Sequence, residues 1–379
     1  MRSGRRLAVV FAALVILVPT RSSPLPRAVA SAAAPLPNGA GWMGALSAQI
    51  GSLPLNQVVL PGSHDSDSFS IPPVGTAAPA PAGVMSPDAL DLRDPLSSLE
   101  ALLPRALWQR ISVPWSRAQD LGVAAQLTAG VRYLDVRVCA GPPTHPGLYA
   151  CHGLYGAPLA AALLDPVRQF LAAHPTEIVV LDFHRFSALG SPNGMPVGLH
   201  QALAAQIHAA FPGVLLSPGP LKAGITLADV WRTPGRVIIL YNDAQTVRAN
   251  PDFWPYADTI IAWPNTANLG VLRQRVKTNL WCRCDALHAV HATPGVFFDL
   301  QLQMTPSRDV LLSGTFGAAR VRSLRDLAAS NLPMLTYLRG LLRDSSRHAR
   351  AHLNVVTTDF SDLPALLPFA EALNMGLLA

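Results

Sequence analysis

Several apolar runs of strand length end in residues that can do chemistry. The run VVLPGSHDSDSF, residues 58–69, breaks at Pro61-Gly62 and delivers His64 beside Asp65. A second run, RYLDVRV, carries Asp135 and Arg137 on alternate positions, and YACHGLYG carries His152. EIVVLDFHRF supplies Asp182 and His184, and RVIILY leads into Tyr241, Asn242 and Asp243. VFFDLQLQ supplies Asp299, Gln301 and Gln303, and LNVVTT ends at Asp359. Two histidines, an arginine and carboxylates suit cleavage of a phosphodiester. One imidazole takes the proton of an attacking hydroxyl and the other protonates the leaving oxygen. A guanidinium meets the phosphate with a fixed fork of donors. A carboxylate facing the base sets its tautomer and raises its basicity. With a guanidinium as the cation, this chemistry needs neither metal nor cofactor, and none is expected.

These residues need elements that bring them to one place. Eight short β-rich runs recur, at 57–60, 132–138, 148–151, 177–183, 236–241, 259–262, 296–300 and 353–358. Amphipathic stretches lie between several of them, at 165–173, 199–210 and 321–342. Strands alternating with helices point to a parallel sheet. Eight of them predict an α/β fold, an irregular (β/α)8 TIM-type barrel, whose strand carboxyl ends converge on one mouth. An open doubly wound sheet is the alternative, but its GxGxxG turn is absent. The Pro/Ala-rich stretch 71–112 reads as an insertion after the first strand, with a helix over 99–111 that either covers the mouth or forms a plain surface loop.

The chain has 379 residues, half of them apolar, enough for a large core. Arg2, Arg5 and Arg6 precede the apolar run 7–18, and small residues such as Ala28 and Ala30 follow. This is a secretory signal pattern, too short for a membrane span. Residues 1–30 are therefore expected to be a signal peptide, 31–50 a lead-in, and 51–379 the barrel; the protein is expected to be secreted. The formal charge of +6 then falls to +1, because 1–30 holds five arginines and no acid. Nucleic acid is not an expected partner. In an exported chain, four cysteines suggest disulfides, and Cys139 with Cys151 is the favoured pair. Cys282 and Cys284 would close a tight loop. Beside His288 and His291 they also have zinc-ligand types, without a second pair to complete a site.

LPGSHDS, GVRYLDVRV, CHGLYG and EIVVLDFHRF together resemble the X-domain of phosphatidylinositol-specific phospholipases C, most closely its metal-independent bacterial and X-domain-only members. WPNT at 263–266 and NVVTTDF at 354–360 extend the resemblance in order along the chain. The resemblance implies a barrel phosphoric diester hydrolase and lyase acting on a phospholipid or inositol phosphodiester, with transient membrane-surface contact. It implies His64 as general base on a ring hydroxyl, His152 as general acid, and Arg137 on the phosphate. Asp65 would couple to Arg137 and His152, and Asp359 would orient His64, although Asp362 is close by. His184, Tyr241 and Gln303 would contact the head group. His184 stands where the family carries a lysine or glutamate, so the head-group set departs from the pattern.

Two other readings remain open from the residues alone. One is a metal-dependent glycerophosphodiester phosphodiesterase, which Arg137 argues against; the other is a non-catalytic secreted lipid- or inositol-binding module. His145, His174, His200, His208 and His352 are expected at the surface. Trp254 and Trp263 flank a Pro-rich loop that either dips into a lipid interface or packs ordinarily.

Overall fold

The computed structural model describes residues 39–89, 103–191, 194–222, 224–281, 295–317, 319–344 and 353–376, all within the unit Pro35–Ala379. The expected signal peptide, residues 90–102 of the insertion, Cys282, Cys284, His288, His291 and His352 lie outside the described residues.

Ten strands form one sheet: β1 (Leu60–Ser63), β2 (Tyr133–Ala140), β3 (Leu148–His152), β4 (Leu154–Pro158), β5 (Val179–Ser187), β6 (Val237–Tyr241), β7 (Trp254–Pro255), β8 (Thr259–Ala262), β9 (Phe297–Gln301) and β10 (Val355–Thr358). Eight of them run in the order β7-β6-β5-β2-β1-β10-β9-β8, every pair parallel. The path ends at β7 and β8, which are neighbours in the chain. Among the described residues no ladder joins them, so the wall opens there. The outer layer holds Asp165–Ala173, Val197–Ala210, Leu269–Trp281, Pro333–Asp344 and Leu366–Asn374. The amphipathic stretch expected over 321–342 forms two helices, Leu324–Ser330 and Pro333–Asp344. Proline has no N–H to give a preceding turn, so Pro333 opens a helix instead of continuing one.

The third expected strand is a correction. The run at 148–151 belongs to β3, which pairs antiparallel with β2 and then with β4, off the parallel path. The link 141–147 is too short for the crossover that parallel strands need, so the chain can only fold straight back. The short β7 takes the eighth place instead. The first strand also runs further than expected. Pro61 and Gly62 lie inside β1, in register with Val356 and Thr357, and the turn comes after Ser63. Gly62 is needed there because a Cβ would sit 2.4 Å from Thr357 Oγ1.

Alternation along the strands sorts the core into layers. Leu134, Val136, Val179, Leu181, Ile239 and Tyr241 pack outward under the helices of one side. Phe298, Leu300 and Val356 do so on the other. Leu60, Tyr133, Val180, Ile238, Phe297 and Val355 point inward and fill the barrel floor. The next inward positions towards the carboxyl ends are Asp135, Asp182, Asp299 and Thr357, all buried. A polar layer therefore rests on an apolar one, directly below the mouth.

At the opposite end of the barrel, Arg132 and Glu177 are both fully buried and lie 2.6 Å apart. Arg132 also donates to the carbonyls of Gly39, Ala40, Leu127 and Val131. A buried ion pair needs that full set of partners to offset desolvation. It fastens the entering chain to the base of the sheet.

Candidate active site

Just past the last ladder position of β1 and β10, both chains turn away in the left-handed region, at Asp65 (φ 43°) and Phe360 (φ 46°). His64 and Asp359 stand immediately before these turns. His64 Nδ1 donates to Asp359 Oδ1 at 2.7 Å. That bond fixes the tautomer and leaves Nε2 directed at the cleft, 3.5 Å from Arg137 Nη2 and 3.7 Å from Asp135 Oδ2. Burial disfavours the imidazolium, but Asp65, Asp359 and Asp135 outweigh it and raise the His64 pKa to about 9. Burial pushes the Asp359 carboxyl up, and His64 opposes that shift. Asp362 is held instead by Arg325, at 2.9 Å.

Asp65 reaches both halves of the cleft, its Oδ2 lying 3.4 Å from His64 Nδ1. Its Oδ1 pairs with Arg137 Nε, and its Oδ2 lies 3.4 Å from His152 Nε2. Burial alone would raise its pKa; Arg137, His152 and His64 reverse that and hold it far below the carboxylate range. His152 Nδ1 donates to the Ser116 carbonyl at 2.8 Å. Both its ring nitrogens therefore face acceptors, the arrangement of a proton donor.

The β3–β4 hairpin that carries His152 is fastened from two sides. A Cys139–Cys151 disulfide joins the end of β2 to the residue before His152. Residues 83–88 lie along β4. Gly83 and Ser86 donate to the carbonyls of Tyr155 and Gly153, and Gly153 donates to Asp88 Oδ2 at 3.0 Å. The described part of the insertion is thus a strap on the hairpin. Its helix, Arg105–Ser116, brings Trp115 and Ser116 to the cleft wall.

The opposite wall is built on β5. His184 Nδ1 lies 3.2 Å from Asp182 Oδ2 and 3.4 Å from Asp135 Oδ1, and its ring stacks on Tyr256 at 5.5 Å. Burial lowers the His184 pKa, but Asp135 and Asp182 carry it upward overall. Below it, Tyr133 donates to Asp182 at 2.6 Å. Asp299 accepts from Thr357 at 2.6 Å and from Gln301 at 2.9 Å, and Gln301 in turn accepts from Gln303. Burial raises Asp299 to about 7 despite those donors.

These walls enclose a cleft of about 880 Å³. His64, Arg137, His152, His184, Gln303 and Asp359 line it, and Asp65 lies beneath. Tyr241 is the exception among the candidate residues. As the fifth residue of β6 it points outward, packs on Phe186 and Phe253, and pairs with His200 Nδ1 at 2.8 Å. The strand pleat, which a cluster of polar residues at a strand end does not reveal, puts Tyr241 on the wrong face. His200 is accordingly buried, contrary to its expected surface position. Trp254 is buried too, donating to the Leu216 carbonyl, so it reaches no lipid; Trp263 is 43% exposed at the cleft rim. The sequence gives no sign of Ser116 and Tyr256 in the cleft wall, or of Gln119, which donates to the His64 and Thr358 carbonyls. None sits in a motif, and only their place in the fold gives them partners.

His64, Asp65 and Asp135 bring ligand atoms within 4.8 Å of one another, a spacing that suits a cation. The Arg137 guanidinium already stands against the same atoms. Burial works against its charge, and Asp65 and Asp135 more than restore it.

Comparison with known proteins agrees with this architecture. No family model matches the chain. It is 28% identical to PI-PLC X domain-containing protein 2 of Mus musculus, over 86% of this chain and 84% of that protein. It is 26% identical to PI-PLC X domain-containing protein 3 of Danio rerio, over 88% and 93%. Among solved structures, a phosphatidylinositol-specific phospholipase C of Staphylococcus aureus superposes with a TM-score of 0.55 at 16% identity, covering 89% of this chain and 97% of that one. That of Listeria monocytogenes gives 0.55 at 15%, covering 88% and 98%. The curated relatives are thus PI-PLC X domain-containing proteins over most of the chain, and the structural neighbours share its fold.

Proposed function

We propose, from this relationship to the PI-PLC X-domain proteins, that the chain is an exported, metal-independent phosphodiesterase of the phospholipase C kind. One observation carries the reading: two differently wired histidines flank one arginine in a single cleft. His64 has its Nδ1 tied to a carboxylate and its Nε2 facing the Arg137 guanidinium at the cleft, the wiring of a base. His152 has acceptors at both nitrogens, the wiring of an acid.

The substrate phosphate sits against Arg137, which is oriented by Asp65. A neighbouring hydroxyl of the head group gives its proton to His64 Nε2 as its oxygen attacks phosphorus. The bond to the leaving oxygen breaks, and His152 Nε2 supplies the proton that oxygen takes up. Atoms and charge balance: one five-membered cyclic phosphate and one alcohol leave, and the two histidines have exchanged protonation states. Water then reverses the roles to open the ring. His184 and Gln303 face the remaining head-group hydroxyls, and a lipid substrate brings the cleft rim, with Trp263, to a membrane surface.

The Cys139–Cys151 disulfide supports export, since such bonds persist in oxidising compartments. No helix among the described residues is long and apolar enough to cross a membrane. The test is a phosphorus NMR assay on phosphatidylinositol, phosphatidylcholine and a glycosylated inositol anchor. A cyclic phosphate from an inositol substrate is expected. Absence of a cyclic product from all three, or turnover only with added divalent metal, overturns the reading.

A further inference from the structure

The base pair His64–Asp359 stands where the sheet can no longer hold it. The β1–β10 register ends at Ser63 and Thr358, with one further backbone bond from His64 N to the Thr358 carbonyl. Beyond that, the left-handed turns at Asp65 and Phe360 send the two chains apart. A ladder cannot continue through such turns, so the 2.7 Å contact needs another support.

Gln119 supplies it. The side chain is fully buried. Its Nε2 donates to the His64 carbonyl at 2.9 Å and to the Thr358 carbonyl at 3.2 Å. Its Oε1 accepts from Ser361 N at 2.9 Å and Ser361 Oγ at 3.1 Å. One carboxamide thus spends both hydrogens and both lone pairs on the backbone of the base, the backbone either side of its carboxylate and the Ser361 hydroxyl. Its neighbours extend the contact. The Ala118 carbonyl accepts from Phe360 N at 2.7 Å, and the Ser116 carbonyl accepts from His152 Nδ1 at 2.8 Å. Residues 116–119, which begin at the last residue of the Arg105–Ser116 helix, therefore touch the base, its carboxylate strand and the acid.

We propose that Gln119 is a positioning residue for the reaction, replacing the missing ladder bond between β1 and β10 and so holding His64 on Asp359. This rests on the assignment of His64 as base. A misplacement of about 1 Å at a reacting group costs about 100-fold in rate. Gln119→Met keeps the volume and removes all four hydrogen bonds. It is expected to lower kcat about 10- to 100-fold with KM little changed, and the loss should nearly vanish in an Asp359→Asn background. A merely structural role predicts losses that add in the double variant, and that outcome overturns the proposal.

A second readout does not depend on turnover. Imidazole NMR titration should move His64 from about 9 in the wild type towards its ordinary 6.5 in Gln119→Met. An unmoved titration overturns the clamp even if the wild type is active; a moved one upholds it even if no cyclic phosphate is ever formed. Should Gln119→Met not fold, Gln119→Asn ends one methylene short of both carbonyls and gives the same two readouts.

Discussion

Asp359 Oδ1 lies 2.7 Å from His64 Nδ1 although 295 positions separate them, while Asp65, the next residue to His64, pairs with Arg137 and lies 3.4 Å from both His64 Nδ1 and His152 Nε2. Two carboxylates at the ends of neighbouring strands thus stand in different surroundings. In the proposed reaction Asp359 orients the base and Asp65 ties the phosphate-binding arginine to the acid.

Removing either histidine should therefore remove the chemistry and spare the fold. His64→Ala and His152→Ala are each expected to lower kcat by about 100- to 10,000-fold, with melting temperatures within a few degrees of wild type. Neither ring is part of the core layers, so little packing is lost. Turnover above a tenth of wild type in either variant would remove the acid–base assignment.

The pH dependence follows from the cluster around His64. Its pKa is raised to about 9, so the unliganded cleft holds an imidazolium at neutrality. The base must be unprotonated, so kcat/KM should climb as pH rises towards 9. Asp359→Asn takes away one of the raising charges and should move that rise to lower pH while reducing the maximum rate. The stability sign is opposite. A raised folded-state pKa contributes stability that is complete below the ordinary value near 6.5 and is lost as pH rises through about 9. Thermal melts at pH 6 and pH 10 should show that loss shrink in His64→Gln.

Arg137 is expected to do with a fork of donors what a divalent ion does elsewhere. Arg137→Lys keeps the charge and loses the bidentate geometry. We expect a fall in kcat of about 100- to 1,000-fold. Excess chelator should leave wild-type turnover unchanged; its loss on chelation would show that the cation is a metal.

The Cys139–Cys151 bond binds the two halves of the acid's environment, since Cys139 lies two residues past Arg137 and Cys151 directly precedes His152. The Cys139→Ala, Cys151→Ala double variant should lose about 3 kcal/mol of stability, as expected for closing a loop of this length. It should also lower kcat, because His152 then depends on the 83–88 strap alone. Chemical denaturation and turnover measured on the same preparation check both effects.

Much of this site is legible in the chain itself because strand ends are short-range features. His64, Asp65 and Arg137 each sit towards the close of an apolar run that becomes a parallel strand, and a parallel barrel must gather such ends at one mouth; His152 reaches it on the antiparallel β3–β4 hairpin instead. The Cys139–Cys151 link was equally readable, from two runs joined by a Gly/Pro-rich turn. The failures have one cause, which is direction. Tyr241 follows the same kind of run as His184, yet the pleat turns it outward against His200 and Phe253. The run at 148–151 has the composition of a barrel strand, yet its short link forces it into a hairpin.

The amino-acid sequence by itself pointed to the α/β class, to a set of groups whose chemistry suits phosphodiester cleavage and to Cys139–Cys151 as the favoured disulfide. These depend on residue type and near spacing. Only the tertiary structure decided which carboxylate serves which histidine, that Tyr241 stays out of the cleft, and that Gln119 spans the gap where β1 and β10 part. Such facts depend on where two distant segments end relative to each other, and that is set by register and by the left-handed turns at Asp65 and Phe360. A pattern along one strand carries no information about the strand beside it.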